Sequence, residues 1–521
     1  MSRIHLLFPP SWTLTTGSTH LALPLLKGFL ESRGIPTRTR DLNLEFANRI
    51  VPRLAVAALQ SACAENSLEG MNEPYFQAED EMNRIAAGFG GEWNAQLGFI
   101  FSRFSHHSSR QVFEALDAES PFSEYFDEQV IPSIQKENPP VIGICLASLY
   151  QLIPTFQLCQ RLRRAGYEGF IVLGGNTVSR LLREMSIPPV FDLVDGLIPF
   201  QGEISLLELY RVLREGGDLA DVPGLIWRNG DGMIRQNADH AKFTLDEAAT
   251  PDYSDLPVGE YWGVNYLNVV SARGCYWGKC SFCAIPYGWG HNGLAGQRSV
   301  ENTYRDVARL AERHGIHRFK FVDETLSPHF MRAFSELIID NDLGIEWEGY
   351  TRLERDWRDE SFVKLVSKAG FRKGWFGLEC LPSDNRINLN KNDAADPSRL
   401  LELCSAANIK VHFFCMFGYP GTGKDEAEST VEFLLRNRDF IDTVDIFPWA
   451  YAKHTRVEGV ERIERPDEDW ALEYAHASLR ADALNSEEIA ELASHWEEVI
   501  WVEAPRFLHP TYRMVSPWSL K

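Results

Sequence analysis

The stretch Arg273-Gly274-Cys275-Tyr276-Trp277-Gly278-Lys279-Cys280-Ser281-Phe282-Cys283 decides how the chain is read. Three thiols within nine residues, on a glycine-containing loop, can converge on one soft metal centre. A structural zinc site takes a fourth ligand, for which His291 is the nearest candidate. A [4Fe–4S] cluster held by three cysteines instead leaves one iron open to a small molecule. Three unrelated buried thiols are the remaining reading. The preceding residues, Leu267–Ser271, read as a buried strand, so the cysteines sit at a strand terminus rather than on a small zinc knuckle.

Working outward from the loop, the chain alternates strands and helices. Downstream, Arg318–Val322, Ile345–Tyr350, Lys373–Leu378, Lys410–Phe417 and Thr443–Trp449 are strand candidates. Helical patterns such as Val300–His314 and Ala427–Arg436 lie between them. Six such units in a row predict a partial (β/α)6 barrel over residues 261–455, with chemistry at the carboxyl ends of its strands. Residues 456–521 read as a helical, aromatic tail. Upstream, strands at Ile4–Phe8, Val141–Ala147, Phe170–Leu173 and Leu193–Pro199 alternate with helices at Leu21–Arg33, Gln151–Ala165 and Glu203–Arg214. That spacing predicts a parallel, doubly wound α/β domain over 1–215, interrupted by a helical insertion near 43–137. Asp, Gly and Pro punctuate 216–260, which suits a β-rich linker.

Composition bounds the function. In 521 residues, 52 Lys+Arg against 73 Asp+Glu give a formal charge of −21, and 44% of residues are hydrophobic. This is globular rather than disordered composition. So acidic a chain lacks the basic surface that nucleic acid or an anionic membrane requires, so no nucleic-acid partner is expected. Nine cysteines are odd in number and too sparse for a disulfide scaffold. No long apolar run predicts a membrane span, and the opening apolar run is too short for a signal peptide. The expected location is the reducing cytoplasm.

With these residues in place, the sequence resembles the radical S-adenosylmethionine (SAM) superfamily, and within it the subgroup with an N-terminal cobalamin-binding domain. That family spaces its first two cysteines by three residues; here the spacing is four, then two. Flanking Arg273-Gly274 and Ser281-Phe282 fit the pattern. The resemblance covers roughly 265–450 and implies a [4Fe–4S] cluster on Cys275, Cys280 and Cys283. It places Phe282 beside the SAM adenine, and Asp323 and Glu324 at the methionyl amine, where a carboxylate pairs well with an ammonium. It further places Arg352 at the SAM carboxylate, Gly377 and Glu379 at the ribose, and Gly418 in a turn near the adenine. Arg298 opens the helix after the cluster, as family members often have it.

The N-terminal part then resembles a Rossmann-like cobalamin-binding domain. Gly174-Gly175-Asn176 and Gly202-Glu203 end strands with glycines that let backbone approach a bulky ligand, and Pro10 to Thr19 with Ser148 complete the rim. The cobalt-ligating motif Asp-x-His-x-x-Gly is missing; Asp239-His240 comes nearest but has the wrong spacing. Glycines that only make tight turns are the plainer reading. The segment Gly418-Tyr-Pro-Gly-Thr-Gly423-Lys424-Asp425 almost spells a phosphate-binding loop. It has Asp425 where such a loop requires Ser or Thr, and reads as the acidic start of a helix.

The resemblance implies a cobalamin-dependent radical SAM enzyme that methylates an unactivated carbon of a peptide or small-molecule natural product. One SAM would methylate reduced cobalamin; another would yield a 5′-deoxyadenosyl radical with an electron from an external flavodoxin- or ferredoxin-type donor. A rearrangement, epimerisation or cyclisation without methyl transfer, with cobalamin absent or non-methylating, is the alternative. A zinc-stabilised binding protein is a third, non-enzyme reading.

Overall fold

The protein is described by a computed structural model. It covers residues 3–11, 20–51, 53–65, 67–94, 98–238, 243–289, 294–381, 391, 397–455, 457–479, 484–509, 512, 513 and 518.

Two sheets organise it. The first has seven strands: β1 (Ile4–Phe8), β2 (Thr37–Asp41), β3 (Val141–Cys145), β4 (Phe170–Gly174), β5 (Gly196–Ile198), β6 (Ile226–Arg228) and β7 (Ile234–Gln236). Their spatial order is β2-β1-β3-β4-β5-β6-β7. The first five run parallel, and β6 and β7 pair antiparallel at the edge. All five residues of β1 and of β3 are buried, as expected of strands covered on both faces. The 2-1-3-4-5 order reverses direction between β1 and β3, which puts a topological switch point, and so a crevice, at their carboxyl ends.

The second sheet has six parallel strands in sequential order: β8 (Leu267–Val269), β9 (Arg318–Phe321), β10 (Glu346–Thr351), β11 (Phe371–Glu379), β12 (Lys410–Phe417) and β13 (Thr443–Pro448). Helices Val300–His314, Pro328–Asp340, Glu360–Lys368, Ser398–Ala406 and Lys424–Arg436 connect them. This is the expected open β/α barrel. Its helices bury one face each against an aromatic core that includes Phe321, Phe330, Phe334, Trp347 and Trp357.

Elements unforeseen in the sequence fill the rest. Strand β2, Thr-Arg-Thr-Arg-Asp, buries the short side chains Thr37, Thr39 and Asp41 on one face, a pattern without apolar alternation. The stretch expected as a linker contributes β6 and β7 to the first sheet. The described residues of 43–137 are mainly helical, with one hairpin, Glu92–Asn94 against Gly98–Ile100. Its core is aromatic: Phe46 meets Phe122 at 4.7 Å and Phe99 at 5.5 Å between ring centres. The tail carries the helix Ser486–Glu503, which packs Leu492, Ala493 and Ile500 on the barrel. Before it stands a small antiparallel sheet of Tyr451–Ala452, Val460–Ile463 and Glu473–Ser478.

The segment between the sheets and the tail are both fastened to the first domain. The Asp255 carboxylate takes Lys27 Nζ at 2.6 Å and the Thr39 amide at 3.0 Å. Tyr261 hydroxyl donates to buried Asp41 at 2.7 Å, and Trp470 indole to the Glu184 carbonyl at 3.1 Å.

Candidate active site

The cysteine loop follows β8 through a short hairpin, Ala272–Gly274 against Leu294–Gln297. Gly278 has φ 59°, a left-handed conformation that folds the four-residue span between the first two cysteines back on itself. The loop closes with the Cys283 amide donating to the Cys280 carbonyl at 3.2 Å. All three cysteines are half-buried, whereas the other six are buried. Burial pushes the Cys280 thiol up to about 12 and Cys283 up to about 11, while the nearby Lys391 ammonium favours both thiolates. Cys283 lies within electrostatic reach of both Cys275 and Cys280. Among the described residues, no three His, Cys, Asp or Glu side chains stand close enough to hold a metal ion. His291 lies outside the described residues, as do Asp239-His240 and residues 12–19 of the expected rim.

A cavity of about 840 Å³ lies between the carboxyl ends of the first sheet and the mouth of the barrel. Gly143, Val172 and Gly174 line it from the first sheet, and Asn268, Lys320 and Tyr350 from the barrel. Arg273 and Ala284, on either side of the cysteine loop, also line it.

Several expected residues meet in this cavity. Gly174, Gly175, Asn176, Gly202, Glu203 and Glu324 all line it. Glu203, at the start of the helix Glu203–Glu215, is paired with Arg273 through both guanidinium nitrogens, at 2.5 and 3.2 Å. Both side chains are almost wholly buried, so this pair is a clasp between the first sheet and the cysteine loop. Glu324 accepts from the Gly274 amide at 3.0 Å and from Trp289 indole at 2.5 Å. Burial raises its carboxyl above the usual range against these two bonds, which favour the charged form.

Others lie elsewhere. Asp323 points into the barrel wall, where Ser271 holds it with its amide at 3.0 Å and its hydroxyl at 2.5 Å. Burial raises that carboxyl to about 7. Ser148 caps the turn Leu149–Gln151. Phe282 packs with Tyr419 and Trp449. Gly418 lets the helix Ser486–Glu503 approach: a methyl group there would stand 2.5 Å from Ile489. Arg352 lies over the Trp277 ring at 4.4 Å and pairs with Glu354 at 3.2 Å. Gly377 and Glu379 both meet Lys391, whose ammonium donates to the Gly377 carbonyl at 2.8 Å and to Glu379 at 2.5 Å. In the segment that mimics a phosphate loop, Glu426 accepts from the Gly423 amide at 2.7 Å, which makes it an acidic helix start.

The barrel floor was not foreseen. Lys320 is buried between the rings of Trp375 at 4.2 Å and Tyr350 at 5.5 Å and pairs with Glu348 at 3.2 Å. Burial alone would discharge it; Glu348 outweighs that and holds the ammonium above its ordinary value. Neither Lys320 nor Lys391 stands in a motif, so only the fold reveals them.

The open barrel with three cysteines after its first strand defines a radical SAM enzyme. Residues 269–434 match the family model of the radical SAM superfamily. An uncharacterised methyltransferase of Pyrococcus horikoshii is 24% identical over 345 residues, 65% of this chain and 72% of that one. Cytidylyl-2-hydroxyethylphosphonate methyltransferase of Streptomyces wedmorensis is 21% identical over 433 residues, 73% and 79% of the two chains. Among solved structures, the radical SAM methyltransferase TsrM of Kitasatospora setae, with cobalamin and a [4Fe–4S] cluster bound, has the same fold. It superposes with a TM-score of 0.59 at 15% identity, over 96% of this chain and 89% of that one.

Proposed function

We propose that the protein is a cobalamin-dependent radical SAM methyltransferase acting on an unactivated carbon of a peptide or small-molecule natural product. One observation carries the reading: the cysteine loop and the glycine-edged carboxyl end of a second α/β sheet flank the same cavity. The donor set suits the cofactors. Three half-buried thiols on one loop supply the soft donors of a cluster that keeps one iron for SAM. Gly143, Gly174 and Gly202 add no side chains of their own to the cavity wall, which suits a bulky corrin.

When bound, the cluster and SAM supply hydrogen-abstracting one-electron chemistry, and cobalamin supplies a methyl group. The chain's own residues position and shield. Glu324 offers carboxylate oxygen to an ammonium beside the cysteine loop. Glu379, held by Lys391, would be the carboxylate that accepts from ribose hydroxyls. Trp289 on the cavity wall and Trp277 under Arg352 keep water from the loop.

Anaerobic reconstitution with iron and sulfide, followed by a low-potential one-electron reductant and SAM carrying a labelled methyl group, tests this. The expected result is a brown protein that forms 5′-deoxyadenosine and passes label to added cobalamin. Cys280→Ala is expected to lose colour and 5′-deoxyadenosine together; a variant that keeps making it removes the cluster assignment. 5′-Deoxyadenosine without labelled cobalamin would retain the radical chemistry and discard methyl transfer.

A further inference from the structure

Arg180 ends the short helix Asn176–Arg180 that follows the glycine pair of β4, and its side chain lines the cavity. The backbone there is pinned, because His454 Nε2 meets the Arg180 carbonyl at 2.9 Å. The guanidinium is not satisfied. Among the described residues its one hydrogen bond runs from Nη2 to the Leu472 carbonyl at 3.5 Å, and buried Nε has no partner.

Arg180 is half-buried, and the fully buried arginines differ from it. Arg273 is paired with Glu203, Arg298 with Asp306 at 2.7 Å, and Arg513 with Asp445. Among the described residues, no carboxylate comes within 4.0 Å of Arg180. Glu473, also on the cavity wall, is felt electrostatically without reaching pairing distance, as is Cys283. Burial accordingly lowers the Arg180 pKa. A guanidinium does not give up its proton in a protein, so it stays charged and needs an anion. Its flat fork of donors fits two oxygens of a phosphate or carboxylate.

We propose that Arg180 is an anion-recognition residue of the cavity, taking a phosphate or carboxylate group of a ligand bound there. The inference rests on the cavity being the ligand chamber, and not on which reaction runs in it. The phosphodiester of a corrinoid nucleotide tail, the SAM carboxylate and an acidic group on the substrate share this chemistry.

The full-length protein is compared with Arg180→Met and Arg180→Lys. Without ligand, Arg180→Met is expected to melt at the same temperature or higher, because it removes a half-buried charge that no described carboxylate pairs. A fall of several degrees would make the arginine structural and overturn the proposal. Inorganic phosphate is the shared probe: it is expected to stabilise the wild type, with affinity about tenfold weaker in Arg180→Met and intermediate in Arg180→Lys. Equal phosphate affinity in all three proteins, or none in the wild type, overturns the proposal as well.

Paired probes then name the source. Loss of cobalamin binding with cobinamide binding kept, cobinamide lacking the phosphodiester, assigns the nucleotide tail. Loss of SAM but not of decarboxylated SAM assigns the amino-acid carboxylate. Phosphate sensitivity with neither loss assigns the substrate. A wild type that binds phosphate at Arg180 but neither corrinoid nor SAM keeps this inference and removes the proposed function.

Discussion

Gly175 has φ 98°, and a methyl group there would stand 2.5 Å from the Leu146 carbonyl oxygen. Gly202 has φ −96°, and its nearest neighbour would be Leu26 at 3.6 Å. In the sequence the two glycines look like one kind of residue, yet they do different work. Gly175→Ala is expected to cost about 2 kcal/mol or more in urea unfolding, from backbone strain and collision together. Gly202→Ala is expected to change stability by no more than about 1 kcal/mol while weakening corrinoid binding, since its methyl group points toward cavity-lining Leu26 and Leu206. Equal loss of stability in both variants would show that Gly202 too is structural. The sequence also offers Asp323 and Glu324 as equals. The loop that leaves β9 separates them: one turns to Ser271 in the wall, the other to the cavity. Nothing in the linear order marks which is which, because the answer lies in the partner strand.

Among elements, the barrel strands and helices are legible because each carries an apolar face of the right period, and Lys410–Phe417 and Val300–His314 have the bounds that the sequence pattern predicts. Strand β2 escapes because an edge strand of Thr and Arg has no such face. The cysteine loop is legible as a motif, but the element that holds it is not. Glu203 begins a helix of the first sheet, and Arg273 opens the loop 70 residues later. Their pairing is tertiary, invisible to local pattern. Breaking it leaves one buried charge alone, so Arg273→Met or Glu203→Gln is expected to cost about 3–5 kcal/mol. The double variant Arg273→Met/Glu203→Leu should recover much of that loss, since two apolar groups replace the pair. A double-mutant cycle in urea checks this; additive losses would mean that the clasp carries no coupling. Loss of cluster occupancy in the singles, with recovery in the double, would tie the first sheet to the loop's geometry.

At the scale of the whole molecule, buried histidines set the acid limit. Burial holds His106 at about 3 and His20 and His509 at about 4. Each folded pKa is depressed below the unfolded value near 6.5. The stability of the neutral ring is therefore fully present above about pH 6.5 and is lost as pH falls toward 4 and then 3. Asp323 acts in the opposite sense. Its folded pKa of about 7 lies above the unfolded 3.8, so its contribution is full below 3.8 and is lost as pH rises through 7. Glu324, Asp306 and Asp445 are raised in the same sense as Asp323, while His5 joins the three rings at about 4; each ring is worth about 1.4 kcal/mol per pH unit across its window. The formal charge of −21 also favours mild acid, through reduced self-repulsion. At 0.15 M salt that repulsion is screened beyond about 8 Å, whereas the buried rings are not. The urea midpoint at 0.15 M salt is thus expected to fall steeply between pH 6.5 and 4.5, and less steeply in His106→Asn. A midpoint that stays level or rises over that range would mean that these rings are already charged in the folded protein.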